Sequence, residues 1–281
     1  MIRAQDLLAE GAAHLREVGI DDAPRDARWL LAYALDIAPA RLVTVLPDPV
    51  PPLAAERFRN AIAARRQFQP VSQIVGHRLF WGRRFIVTPD VLDPRPETET
   101  LVAAALDTVF SSVLDLGTGS GAILLSLLAE RATAKGQGVD LSAAALAVAR
   151  ENARALGLDE RVEFLQSDWC SRVRGSFDLV VSNPPYIPVA EYGHLAPELR
   201  LWEPSMALVP QGCDGTGLAA YRLIAAQSRR ILRPGGWLIV EFGLGQGREV
   251  QDLLRAAGLR NISLVPDMTG RARVARGQAP G

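Results

Sequence analysis

The residues best suited to chemistry are Asn183-Pro184-Pro185-Tyr186, which follow the apolar run Val180-Val181-Ser182. Proline holds φ near −65° and pushes its predecessor out of the helical region, so Asn183 and Pro184 are extended and the turn is rigid before any ligand arrives. Neither proline has an N–H that would compete for the loop's carbonyls. Asn183 Oδ1 and the Pro184 carbonyl can each accept one N–H of a planar amide or amino group, and Tyr186 can stack on that plane. Such a nitrogen is a poor nucleophile, because its lone pair is delocalised; an amide rotation barrier of about 18–20 kcal/mol measures how far. Gripping the group and aiming its lone pair at an electrophile is catalysis by positioning. No strong base is needed, since the nitrogen becomes acidic once it has bonded to the electrophile. Taken alone, the tetrapeptide can also be a plain Asn-Pro turn.

The electrophile needs its own site. Asp115-Leu116-Gly117-Thr118-Gly119-Ser120-Gly121 lies between an apolar run and a helical pattern, where glycines let backbone approach a ligand. A dinucleotide fingerprint would place its third glycine at position 122, which is alanine here. Asp140 ends the next strand and can accept hydrogen bonds from both hydroxyls of a ribose; the alternative is a cap for the helix that starts at Ser142. Asp168-Trp169 ends the third strand, suited to the exocyclic amine and ring of an adenine, or else to a cap beside a core tryptophan. Together these residues describe a nucleoside cofactor held without a pyrophosphate clamp. S-adenosylmethionine fits that better than NAD.

The elements that position these groups can be read from hydrophobic periodicity. The first 75 or so residues carry helical spacing at Leu7, Leu8, Ala12, Leu15 and Val18, and again at Trp29, Leu30, Tyr33 and Leu35, where Asp22 and Pro24 resemble a helix start. A further helix is expected over 53–67, with Phe58 and Ile62 inward and Arg57, Arg59, Arg65 and Arg66 outward. Leu79-Phe80-Trp81 and Phe85-Ile86-Val87, flanking Gly82-Arg83-Arg84, suggest a β-hairpin connector. Strands follow at 113–116, 138–140, 162–165, 177–181, 237–242, 260–265 and 271–276, separated by helices at 122–130, 142–156, 217–232 and 246–257. This alternation implies a parallel sheet with helices on both faces and ligands at the carboxyl ends of its strands.

Composition narrows the class further. The chain has 281 residues, 48% hydrophobic and 22% charged, which is ordinary for a globular protein. Arginine and lysine total 31, as do aspartate and glutamate, so the formal charge is zero and no basic excess marks an autonomous duplex binder. No apolar run reaches the roughly 20 residues of a membrane span. Ile2-Arg3-Ala4-Gln5-Asp6 has no signal-peptide core, and two cysteines, Cys170 and Cys213, make neither a disulfide framework nor a zinc spacing. Cys170 beside Trp169 reads as a small buried apolar group. The expected compartment is the cytoplasm.

The pattern as a whole resembles the HemK/PrmC family of protein-glutamine N5-methyltransferases, which act on peptide-chain release factors. The resemblance spans roughly residues 70–277. It includes Gly76, Phe80, Gly82, Phe85 and Val87, the segment Pro94-Arg95-Pro96-Glu97-Thr98-Glu99, the glycine loop, Asn183 to Ile187, Glu203-Pro204 and Gly270 to Val274. The Pro-Arg-Pro-Glu-Thr-Glu segment is the most specific, since general DNA methyltransferases lack it. The family implies a Rossmann-like class I α/β fold, with a helical substrate-recognition domain over 1–75, a β-hairpin linker over 76–93 and a methyltransferase domain over 94–281.

It implies S-adenosylmethionine at Asp115, Leu116, Gly117, Thr118, Gly119, Asp140, Asp168, Trp169 and Asn183, with no metal. It assigns catalysis to Asn183, Pro184 and Tyr186, and contact with the acceptor to these residues, Pro185, Arg95 and Glu97. The implied partner is a release factor, methylated at the glutamine of its Gly-Gly-Gln motif by a monomer that binds neither membrane nor nucleic acid stably. Asp93 stands where the family has an aliphatic residue, Gln73 where it often has tyrosine, and Asp214-Gly215-Thr216-Gly217-Leu218 is longer than the usual Asp-Gly-Leu. Methylation of adenine N6 in DNA or RNA uses the same tetrapeptide but needs base flipping, for which no recognition domain is visible. A binding module without turnover would not need the glycine loop and Asn183, and the glycine spacing disfavours an oxidoreductase.

Overall fold

The computed structural model describes residues 2–212 and 215–281; Cys213 and Asp214, with which the longer Asp-Gly-Thr-Gly-Leu segment begins, lie outside the described residues. The chain falls into two compact units, one of residues through His77 with Ala196–Trp202, the other of Arg78–Leu195 with Glu203–Gly281.

The first unit is helical: α1 (Ala4–Glu17), α2 (Ala23–Ala34), α3 (Leu42–Val45), α4 (Pro52–Arg66) and α5 (Val71–Val75). Leu7, Leu15, Leu30, Leu31, Phe58 and Ile62 fill its core, the apolar stripe that the periodicity requires. Two details differ from expectation. The Asp22 side chain makes no cap hydrogen bond, and it pairs instead with Arg25 at 3.5 Å on the surface. Arg65 does not face solvent. It is 7% exposed, with Nε 2.7 Å from Asp26 and Nη1 2.7 Å from Glu198 of the 196–202 segment. That segment also accepts from Gln73 Nε2 through the Trp202 carbonyl, and Trp202 Nε1 donates to the Gln67 carbonyl.

The second unit opens within strand β1 (His77–Phe80), whose first residue ends the first unit, and continues with β2 (Arg83–Ile86). Their turn is Trp81-Gly82, with φ of 49° and 68°, the two positive values of a tight hairpin, so Arg83 and Arg84 belong to the strand and not to the turn. The remaining elements are α6 (Glu99–Leu106), β3 (Ser112–Leu116), α7 (Ala122–Glu130), β4 (Lys135–Asp140), α8 (Ala143–Ala155), β5 (Val162–Gln166), β6 (Phe177–Ser182), α9 (Val189–Tyr192), α10 (Pro197–Trp202, which lies in the first unit), α11 (Ser205–Leu208), α12 (Ala219–Ile231), β7 (Leu232–Glu241), α13 (Gly247–Ala256), β8 (Arg260–Pro266) and β9 (Ala272–Gln278).

Seven strands form one sheet in the order β5-β4-β3-β6-β7-β9-β8. The first five are parallel, as the alternation predicts, but β9 runs antiparallel to both β7 and β8, so the sheet is mixed. Period-two alternation sorts the core into two layers. Val113, Leu179, Val181 and Ile239 pack with α6 and α7, while Leu114, Leu116, Val180, Leu238 and Val240 pack with α12 and α13. Among the described residues no helix is long and apolar enough to cross a membrane.

The buried ion cluster of the first unit yields a test. Removing Arg65 would leave Asp26 and Glu198 without their cation. Arg65→Ala is therefore expected to cost about 3–5 kcal/mol in urea unfolding, and Arg25→Ala, in an exposed pair, under about 1 kcal/mol.

Candidate active site

The sheet's register builds the site. Val139, Leu116, Ser182 and Val240 stand abreast across β4, β3, β6 and β7. The next residues along the chain, Asp140, Gly117, Asn183 and Glu241, therefore emerge in one row at the carboxyl ends of these strands and on one side of the sheet. Ser182 Oγ donates to the Leu116 carbonyl at 2.6 Å, fastening the strand that carries Asn183 to the strand that carries the glycine loop.

The loop after β3 curls over the end of β4: the N–H groups of Gly117 and Thr118 both reach the Val139 carbonyl at 2.9 Å. Gly117, Gly119 and Gly121 have φ of 70°, 54° and 82°, so glycine is required for the turn itself. Asp140 Oδ2 accepts from Gly119 N at 2.9 Å, and Oδ1 accepts from Ser142 N at 2.9 Å. The cap of α8 is Ser142, whose hydroxyl accepts from Ala145 N at 3.1 Å, and not Asp140. Burial raises the Asp140 carboxyl above its usual range, opposed by its backbone hydrogen bonds.

A cavity opens beside this row. Gly117, Thr118, Gly119, Asp140, Asp168 and Trp169 line it, and so do Arg95, Thr98, Asn183 and Pro185, with Pro204, Met206 and Ala207 on a further wall. Trp169 adopts a positive φ of 45°, uncommon for a bulky residue, and its ring lies beside Gly117. Asp168 is exposed.

The other expected residues stand outside this lining. Asp115 and Leu116 are buried beneath the loop, where Thr118 Oγ1 donates to Asp115 Oδ2 at 2.7 Å. Glu97 is exposed and Pro184 is buried. Tyr186 is half-buried beside Arg273, and its carbonyl accepts from Gln246 Nε2 at 3.0 Å. A side chain at Gly217 would meet that carbonyl at 2.2 Å, so the turn is clamped from behind as well as stiffened by its prolines. Arg95 pairs with Glu203, which is 5% exposed.

Two residues of this site escaped the sequence reading. Glu241 is 1% exposed, and burial pushes its carboxyl up to about 7. Arg273, 4.0 Å away, opposes that shift. The signals available were an acid ending a strand that is otherwise apolar and an arginine in the strand beside it. Asp93 is also buried, 3.5 Å from Arg78, which answers the charge placed where the family has an aliphatic residue. Cys170 is buried, and burial pushes its thiol up to about 11. Among the described residues no cluster of three or more His, Cys, Asp or Glu is placed to hold a metal ion.

A sheet of this order, with a glycine loop and an acid on adjacent strand ends, defines an S-adenosylmethionine-dependent methyltransferase of Rossmann-like fold. Residues 92–196 match the family described as Methyltransferase small domain, and residues 6–76 match the PrmC N-terminal domain. The chain is 56% identical over 279 residues to the release factor glutamine methyltransferase of Cereibacter sphaeroides, covering 99% of both, and 45% identical over 280 residues to that of Rhodospirillum rubrum, covering 98% of this chain and 85% of the relative. Among solved structures, a methyltransferase from Pyrococcus furiosus shares the fold at a TM-score of 0.57 and 16% identity, covering 78% of this chain and 100% of that one. The chain belongs to the HemK/PrmC family of methyltransferases.

Asp115 leads to a prediction about stability. Burial, with the charge of Asp140 adding to it, pushes its carboxyl up to about 7, and Oδ1 has no hydrogen-bond partner. An unfolded aspartate titrates near 3.9, so the folded state holds this proton more tightly. The resulting stabilisation is complete below about pH 4 and is lost as pH rises through about 7. Asp115→Asn keeps an acceptor for Thr118 and never ionises. It is expected to be more stable than the parent at about pH 8, by on the order of a few kcal/mol in urea unfolding, with the gap closing towards about pH 4.

Proposed function

We propose that the acceptor is the side-chain amide nitrogen of a glutamine in a peptide-chain release factor, methylated at N5 by this chain in the cytoplasm. One observation carries the reading: Asn183 and Pro185 line the same cavity as Gly117, Gly119, Asp140, Asp168 and Trp169. The relatives' names supply the acceptor, and the neutral charge agrees with a protein partner more than with a phosphate backbone.

In this reading Asp140 accepts from the ribose hydroxyls and Trp169 and Asp168 hold the adenine. Thr118 and the Gly117 and Gly119 backbone line the nucleoside, with Asp115 and Leu116 supporting the loop from below. S-adenosylmethionine supplies an electrophilic methyl group. Asn183 Oδ1 and the Pro184 carbonyl each accept one N–H of the glutamine amide, which turns the nitrogen lone pair towards the methyl. Bound there, the cofactor would give up its methyl group to the nitrogen and keep the electron pair of that bond on its sulfur. The nitrogen then sheds its extra proton to solvent. Pro185 walls the channel, and Arg95 meets the incoming peptide while held by Glu203. Glu97, at the surface beside this segment, meets the same partner. Tyr186, whose carbonyl is held by Gln246, braces the turn and would stack on the planar acceptor. The helical unit would carry recognition of the release factor, and the β1–β2 hairpin would link it to the methyltransferase domain.

Labelled methyl from S-adenosylmethionine is expected to appear on purified release factor and to vanish when the glutamine of its Gly-Gly-Gln motif is replaced. Labelling of duplex DNA or ribosomal RNA in its place would overturn the acceptor. Asn183→Ala is expected to lower the rate at least about a hundredfold, in line with the loss of a positioning group, while cofactor affinity falls far less.

A further inference from the structure

Asn183 serves as an acceptor only if its amide is turned the right way. Oδ1 and Nδ2 occupy nearly the same space, and a flip would present two donors to the substrate where an acceptor is needed. Three groups behind it bear on the choice. Asn183 Nδ2 donates to Thr98 Oγ1 at 3.1 Å. The side chains of Thr98 and Asn183 lie close enough to the Glu241 carboxylate to favour its ionised form. Arg273, 4.0 Å from that carboxylate, favours its ionised form.

The direction of this chain follows from donor and acceptor counts. A carboxylate has no proton to give, so the single hydroxyl hydrogen of Thr98 can turn to Glu241 while a lone pair accepts from Asn183. An inverted amide would set Oδ1 against that lone pair and against the charge of the buried Glu241. The register supports the same reading, because Glu241 stands beside Asn183 in the row of strand-end residues. A buried carboxylate is costly, and here Oε2 has no hydrogen-bond partner. A glutamine would fill the space at lower cost, but it could donate as well as accept, and the direction would be lost.

We infer that Glu241, acting directly and through Thr98, is the positioning residue that locks the Asn183 amide with Oδ1 towards the acceptor. This rests on the reading that Asn183 receives the acceptor amide, and it adds a part for a residue that touches neither substrate nor cofactor.

The test uses Glu241→Gln in the full chain, at about pH 8, where the parent carboxylate is ionised. The variant is isosteric and relieves a buried charge, so its folding is not in jeopardy. With asparagine labelled in nitrogen-15, the Asn183 amide protons of the parent are expected to show Overhauser contacts to the Thr98 side chain. Those contacts should weaken or disappear in the variant. kcat/KM for purified release factor is expected to fall by about tenfold, the equivalent of one net hydrogen bond at about 1.4 kcal/mol. S-adenosylmethionine affinity by calorimetry should hardly change. Thr98→Val should repeat the kinetic loss, and Thr98→Ser, which keeps the hydroxyl, should rescue it.

Parental kcat/KM with unchanged Asn183 contacts in Glu241→Gln would overturn the inference. So would a loss of cofactor affinity as large as the loss of rate, since that would make Glu241 a general support of the fold. If Asn183→Ala is inactive while Glu241→Gln is parental, only the positioning role falls. If Asn183→Ala retains full activity, the reading of the acceptor site falls with it.

Discussion

The parallel register that sets Val139, Leu116, Ser182 and Val240 side by side governs the rest of the site. Neighbouring strands lie under 5 Å apart, so groups projecting from adjacent ends are already within reach of one ligand before any side chain has chosen a rotamer. Asp140, Gly117, Asn183 and Glu241 are spaced by the sheet and not by their loops. The loops contribute closure: the Gly117–Gly121 turn folds onto the end of β4, and the two prolines hold the Asn183 turn out over the cavity.

Behind that row lies a layer of buried charge. Asp115, Glu241 and Asp140 all hold protons more readily than free carboxylic acids do, and in each case burial is the main cause. Such groups weaken the fold near neutral pH and must be balanced by the two large apolar layers on either side of the sheet. What they provide is direction. Asp140 faces the N–H of the glycine loop, Asp115 orients Thr118, and Glu241 faces Thr98 and Asn183. Each accepts from a neighbouring group and so favours one orientation of it.

Much of this was legible in the sequence, and what was legible was local. The glycine loop, Asp140, Asp168-Trp169 and the Asn-Pro-Pro-Tyr turn are each read within a few residues, and strand-helix alternation supplies the order in which they meet. The parallel strands followed from that alternation. The antiparallel entry of β9 did not, because a half-buried strand has the same period in either direction. Contacts across long stretches of chain were invisible: Asn183 meets Thr98 over 85 residues. Arg65 lies next to Arg66 in a helix whose outer face looked solvated, and only the fold brings Asp26 and Glu198 to it. The glycine of a Trp81-Gly82 turn was visible, but not that tryptophan would share its positive φ. Tyr186 carried the residue type for stacking, and that Arg273 lies near it could not be read from a chain in which 87 residues separate them.

The row of strand ends also bears on how this scaffold tolerates change. A strand presents alternate residues to opposite faces, so inserting or deleting one residue in β3, β4, β6 or β7 would carry its terminal group through the sheet to the far side. Asp140 would then point at α12 and α13, away from a nucleoside. Length variation is therefore confined to the connections, where an extra residue is absorbed at the surface. Within the strands, new specificity can arise only by exchanging one side chain for another at an address that stays fixed.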